Sequence, residues 1–272
     1  MKLAISNIAW DPKEDESVCV LMRKYGVTGV EIAPTKIWDK PATVDRQDAL
    51  DYAQSWKDRG IEISSMQALL FGRPDLVIFG DAESRQATLD YLTDIIRLGG
   101  LLGAQALVFG SPKNRLVGDL PRNEAMDIAC EFFRAVGRAA TENGTTFCIE
   151  PNPLDYGCDF ITTSDEGREL VSAVNQPGFC LHLDAAGMTM SREDIEQQLA
   201  ASVPGICHFH ISEPGLKPVG NGNVDHGTFA RILAECGYDR WYSIEMAAQG
   251  GQDNVAAIEA SLGIVSHHYC NG

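Results

Sequence analysis

The feature that most constrains this chain is an eightfold alternation of short strand-like runs with longer runs of helical period. The strand-like runs occupy 2–9, 29–33, 61–67, 105–110, 145–150, 179–184, 206–211 and 241–246. Between them apolar residues recur every three or four positions. Leu89, Leu92, Ile95, Ile96 and Leu98 do so within 84–102, and Ile128, Phe132, Phe133 and Val136 within 124–140. Asp15, Thr43, Asp81, Ser164, Ser191 and Thr228 are the expected N-caps, and Gly26, Gly60, Gly103, Gly144 and Gly237 the expected helix ends. Strands that each lead into a helix pair in parallel through right-handed crossovers. An open doubly wound sheet would normally carry Gly-x-Gly-x-x-Gly after its first strand, and this chain has none there. A closed barrel uses about 250 residues, and the chain has 272. The expectation is therefore an α/β fold, a (β/α)8 TIM barrel. No Pro/Gly/Ser-rich linker divides it, so residues 1–272 read as one domain, with 253–269 closing the ring.

Composition removes several functional classes. At 44% hydrophobic and 22% charged residues the chain is globular. Acidic residues number 38 against 22 basic ones, a formal charge of −16, and the basic residues are scattered. Such a surface repels a phosphate backbone, so no nucleic-acid partner is expected. No apolar run reaches the roughly 18 residues of a membrane span, so no membrane partner is expected either. The N-terminus enters strand-like sequence directly and reads as lacking a cleavable signal. Cys19, Cys130, Cys148, Cys158, Cys180, Cys207, Cys236 and Cys270 form no Cys-x-x-Cys pair. They read as free buried thiols of a reduced, cytoplasmic protein.

In a parallel barrel the chemistry lies at the C-terminal ends of the strands. Strands 5 to 8 end in Cys148-Ile149-Glu150, His182-Leu183-Asp184, His208-Phe209-His210 and Ser243-Ile244-Glu245. Side chains alternate along a strand, so Ile149, Leu183, Phe209 and Ile244 should face the helices. Glu150, Asp184, His210 and Glu245 then converge at the barrel mouth. Three clustered carboxylates repel one another unless a cation sits between them. The expected cofactor is a divalent ion bound by these four residues. Three oxygens and one nitrogen place Mn²⁺ and Mg²⁺ ahead of Zn²⁺, with Co²⁺ a further alternative. One inward step below, His182 and His208 are either partners that orient a ligand or interior histidines.

At these residues the sequence resembles the xylose-isomerase-like TIM-barrel superfamily of sugar isomerases and epimerases. The likeness is carried by Gly29-Val30-Glu31-Ile32, Ile149-Glu150-Pro151-Asn152, His182-Leu183-Asp184, His208-Phe209-His210, Ile244-Glu245 and the loop Gly220-Asn221-Gly222-Asn223-Val224-Asp225. The ketose 3-epimerase and hydroxypyruvate-isomerase group looks most similar. That resemblance implies one divalent ion, often Mn²⁺, on the four matching residues. It also implies proton exchange with substrate by Glu150 and Glu245, and a homodimer or homotetramer. The chain departs from the group at Gly187, where those epimerases usually carry a substrate-contacting histidine three residues after the strand-6 aspartate. Zinc-dependent apurinic endonucleases share the superfamily, but they need histidines from earlier strands, and this chain has none before His182.

The expected reaction is epimerisation or isomerisation of a carbohydrate or polyhydroxy-ketone, by α-proton abstraction through a metal-stabilised enediolate. Two alternatives use the same residues. One is a lyase that dehydrates a keto-inositol or dehydroshikimate-like compound or eliminates from a keto-glycoside. The other is a non-catalytic barrel that binds a metal-chelated carbohydrate. Candidate substrate contacts are Glu31, Lys113, Arg115, Asn152, His182, Glu213 and Lys217, with Glu31 also suited to buttressing the barrel floor. His226 reads as a capping or packing residue. Trp10, Trp38 and Phe71 are candidates for an apolar wall over a sugar.

Overall fold

A computed structural model describes residues 2–250 and 253–270. Eight strands run β1 (Lys2–Ser6), β2 (Gly29–Ile32), β3 (Glu62–Met66), β4 (Ala106–Phe109), β5 (Thr146–Ile149), β6 (Phe179–Asp184), β7 (Ile206–Ser212) and β8 (Trp241–Glu245). All neighbours pair in parallel, and β8 returns to β1 to close the barrel. The helices are α1 (Asp15–Lys24), α2 (Arg46–Asp58), α3 (Ala82–Leu102), α4 (Arg122–Glu142), α5 (Ser164–Val174), α6 (Ala185–Met190), α7 (Ile195–Ser202), α8 (His226–Glu235) and α9 (Asn254–Val265). The β6–β7 crossover holds two of them, the six-residue α6 and then α7.

The main core lies between barrel and helices. Ile149, Leu183, Phe209 and Ile244 are buried there, as their parity requires. Phe133 of α4 stacks on Phe179 of β6 at 4.7 Å and meets Phe109 and Phe147 edge-on or tilted, which fixes α4 across three strands. Within the barrel, Trp241 fills the floor. Gly29 opposite it must lack a side chain, because a Cβ there would stand 2.5 Å from the indole.

The five glycines expected at helix ends all adopt left-handed backbone, with φ between 69° and 78°. The N-caps differ more. Asp81 caps α3 as expected, but α2, α5, α7 and α8 are capped by Asp45, Thr163, Asp194 and Asp225. Thr43 instead ends a 3₁₀ turn, and Thr228 lies inside α8 with its own N–H donated to Asp225. Strand 1 stops at Ser6 rather than at 9. Residues Asn7–Ala9 turn so that the Asn7 side chain accepts the Ala33 N–H at 2.8 Å. The last helix breaks its α pattern at Ser266 and ends in a π turn to Cys270. All eight cysteines are free thiols, but Cys236 and Cys270 are exposed rather than buried, and Cys180 and Cys207 are partly exposed.

Candidate metal centre and active site

Glu150, Asp184, His210 and Glu245 meet at the C-terminal end of the barrel. Ligand atoms of Glu150, Asp184 and His210 all lie within 4.8 Å of one another. His210 Nδ1 is 3.4 Å from Glu245 Oε2 and 4.0 Å from Asp184 Oδ2. Each residue is held from behind. Gly110, just beyond β4, leaves room for the Glu150 carboxylate: a Cβ at that position would lie 2.5 Å from Oε2. Asp184 ends β6 and caps α6, accepting the Gly187 N–H at 2.6 Å and the Ser212 hydroxyl. His210 donates its Nε2–H to the buried Glu31 carboxylate at 3.0–3.1 Å.

That last contact decides what the imidazole offers the cavity. Glu31 keeps a proton on Nε2, so Nδ1 is the nitrogen turned to the cavity. Burial disfavours the charged ring, but Glu31 and Glu245 hold it well above the usual imidazole range, and Nδ1 would offer its lone pair once its proton gives way to a metal. Nδ1 is buried and has no hydrogen-bond partner. It points to where the three carboxylates converge. Burial pushes Glu150 up to about 8, and Glu245 and Asp184 add their repulsion. Burial and then Glu245 push Asp184 up to about 6. An orphaned imidazole nitrogen among mutually repelling carboxylates fits a divalent cation, which would receive the lone pair and relieve the repulsion.

The other sequence candidates separate into two groups. Asn152 lines the cavity beside Glu150 and Glu245. Lys113 and Lys217 are exposed and do not line it. Arg115 is fully buried, and its guanidinium holds the Glu150 carbonyl at 2.7 Å and Asn152 Oδ1 at 3.2 Å, so it supports the site from behind. Glu31 bonds Ser65, His208, His210 and Ser243 inside the barrel and faces no substrate space. His208 shares that carboxylate, whereas neither ring nitrogen of the buried His182 has a partner. Glu213 is buried and grips the loop after β7 through the N–H groups of Gly220 and Val224 and the ring of His226. His226 also bonds Tyr269, a packing role. Trp10 donates to Asp15, Trp38 packs on Tyr52, and Phe71 is exposed, so none of the three walls the cavity.

Gln67, Ser111, Tyr156 and Leu216 do wall it and were not singled out by the sequence. Gln67 carried a usable signal, as the residue just past strand 3. Tyr156 and Leu216 carried none, since loop conformation brings them in: Tyr156 Oη accepts the Gly215 N–H at 3.1 Å across two loops.

Comparison with known proteins agrees with this fold. A ketose 3-epimerase of Arthrobacter globiformis is 26% identical over 84 residues, 31% of this chain and 29% of that protein. A probable ketose 3-epimerase of Synechocystis is 23% identical over 90% of this chain and 84% of that protein. The structure of D-psicose 3-epimerase from Clostridium cellulolyticum H10 superposes with a TM-score of 0.82 at 16% identity, covering 99% of both chains. The family model described as xylose isomerase-like TIM barrel matches residues 19–265, and the chain belongs to that family.

Proposed function

We propose that the protein is a divalent-metal-dependent epimerase of keto-sugars. The observation that carries this reading is the presence of two glutamates, Glu150 and Glu245, on the wall of one cavity with Asp184 and His210 between them. The similarity to ketose 3-epimerases supports it.

Glu150, Asp184, His210 and Glu245 would hold the ion, with Mn²⁺ the metal the donor set suits best. When bound, it supplies positive charge that stabilises negative charge on the substrate's carbonyl oxygen and neighbouring hydroxyl. One glutamate removes the proton from the carbon next to the carbonyl, and the bonding pair moves onto the carbonyl oxygen. The other returns a proton to the opposite face, which inverts the centre. Arg115 and Gly110 set where the Glu150 carboxylate stands, and Glu31 keeps His210 in the tautomer that faces the cavity. The substrate in this reading is a small carbohydrate or polyhydroxy-ketone. The free cysteines support the cytoplasm as the compartment.

The test is α-proton exchange in deuterated water, followed by proton NMR on a ketose panel. Exchange with an epimeric product and no gain in enone absorbance is expected of the Mn²⁺-loaded protein. Glu150→Gln and Glu245→Gln should each slow it by about 10²–10⁴-fold. Undiminished exchange in both variants would overturn the assignment.

A further inference from the structure

Resting on that reading, the cavity walls point to the chemistry of the substrate's distal end. The cavity that holds Glu150 and Glu245 measures about 400 Å³ and is walled by Ala68, Val108, Pro112 and Leu216. Among the described residues no lysine or arginine lines it, so nothing there would hold a phosphate or carboxylate. Its polar side chains beyond the catalytic pair are mostly engaged already. Gln67 donates to Ser6 at 2.5 Å, Asn152 Oδ1 accepts from Arg115, and Tyr156 Oη accepts from Gly215. A fully hydroxylated sugar pressed against these walls would lose water from its hydroxyls and gain few partners in return.

The backbone shows that this surface is held in place. Among the described residues, six non-glycine residues have left-handed φ, and three of them wall the cavity: Ala68 at 54°, Ser111 at 37° and Leu216 at 56°. Strain of this kind persists where the surroundings over-determine it, and it gathers at ligand sites. Leucine is a poor choice for such a backbone and asparagine a better one, so the apolar side chain at 216 runs against local preference. The apolar character continues outward. Phe71, Leu116, Leu154 and Tyr156 are large hydrophobic side chains exposed by 71%, 47%, 72% and 37%. All four sit on loops that follow β3, β4 and β5, on the face that carries the site.

We infer that the site takes an uncharged keto-sugar whose end remote from the reacting carbon bears an apolar group, alkyl or aryl, seated against Val108, Pro112, Leu216 and Tyr156. The apolar group removes water from walls whose hydrogen-bonding groups are mostly engaged already.

The experiment compares, on the Mn²⁺-loaded protein, a hexose carrying a ketone at a ring carbon other than the anomeric one, its phosphate ester and its phenyl glycoside, in which the ketone stays free for proton abstraction. Deuterium exchange gives kcat/KM for each, and calorimetry gives binding. The phenyl glycoside should exceed the free sugar by about tenfold or more in kcat/KM. Leu216→Asn, which suits the left-handed backbone, should erase most of that preference, and Leu216→Met should keep it. Equal kcat/KM for free sugar and glycoside, or preference for the phosphate, overturns the inference and leaves the epimerase reading standing. Calorimetric binding of the phenyl glycoside with no exchange on any sugar upholds the apolar subsite and overturns the epimerase reading. If instead a second copy of this chain covers the rim, sedimentation should give a dimer that Leu154→Asp dissociates, with no preference for the phenyl glycoside in either state, and that outcome also overturns the inference.

Discussion

Gly110 and Glu31 contribute nothing to the chemistry directly, yet each fixes a residue that does. A methyl group at 110 would stand 2.5 Å from Glu150 Oε2, and the backbone there cannot yield without moving Ser111 and Pro112 on the cavity wall. Gly110→Ala should therefore lower kcat by about 10²-fold with little change in melting temperature, measured by deuterium exchange beside thermal unfolding. Glu31 accepts from both His208 and His210 while buried. Burial alone would push its carboxyl up, but the positive field of His210 and the hydrogen bonds from His208 and His210 hold it well below the usual carboxylate range. Glu31→Gln keeps the shape and removes the charge, freeing the His210 ring to change tautomer. It should weaken Mn²⁺ affinity by about 10–100-fold, measured by competition with a chelating dye. An unchanged affinity would mean that the imidazole is oriented by packing alone.

Among the elements, the segment from Glu213 to α8 depends most on a single side chain. The Glu213 carboxylate takes two backbone N–H groups and faces the His226 ring at 3.3 Å, closing the turn that carries Gly215 and Leu216 to the cavity. Gly222 passes so close that a Cβ there would collide with Glu213 Oε2. Glu213→Ala should raise amide hydrogen exchange across residues 214–225 by an order of magnitude or more while β7 and α8 stay protected. An increase spread over the whole barrel would instead assign Glu213 to global stability. The sequence placed Glu213 among substrate contacts because it lies just past a strand end. Its carboxylate turned toward the loop because three partners there, two backbone N–H groups and the His226 ring, outcompete the cavity for it.

At the scale of the whole molecule, metal loading and protonation are linked. In the metal-free protein Glu150 sits at about 8 and Asp184 at about 6, so both take up protons as pH falls through those values. A divalent ion must displace them, and its affinity should rise with pH between 6 and 8. Calorimetry in buffers of different ionisation enthalpy should detect proton release on Mn²⁺ binding, and more of it at pH 6.5 than at pH 8.5. The same shifts act on stability. A carboxyl whose folded pKa is raised binds more protons folded than unfolded, so its contribution is present at low pH and is lost as pH rises from about 4.5 to 8. The chelated protein should thus melt lower at pH 8 than at pH 6, and Mn²⁺ should raise the melting temperature most at the higher pH.

The sequence by itself determined the barrel and the four residues at its mouth. Both follow from periodicities that every residue reports: eight strand-helix alternations, and a period of two that turns Glu150, Asp184, His210 and Glu245 inward together. The tertiary structure alone decided what lies around those four. Arg115 looks like a surface or substrate residue in a string of letters, and becomes a support only when strands far apart in sequence are brought side by side; Glu31 was legible as a buttress, but the partners it supports were not. Tyr156 and Leu216 enter the cavity through loop conformations with no periodicity to read, and a loop's path is set by partners that exist only once the barrel has closed.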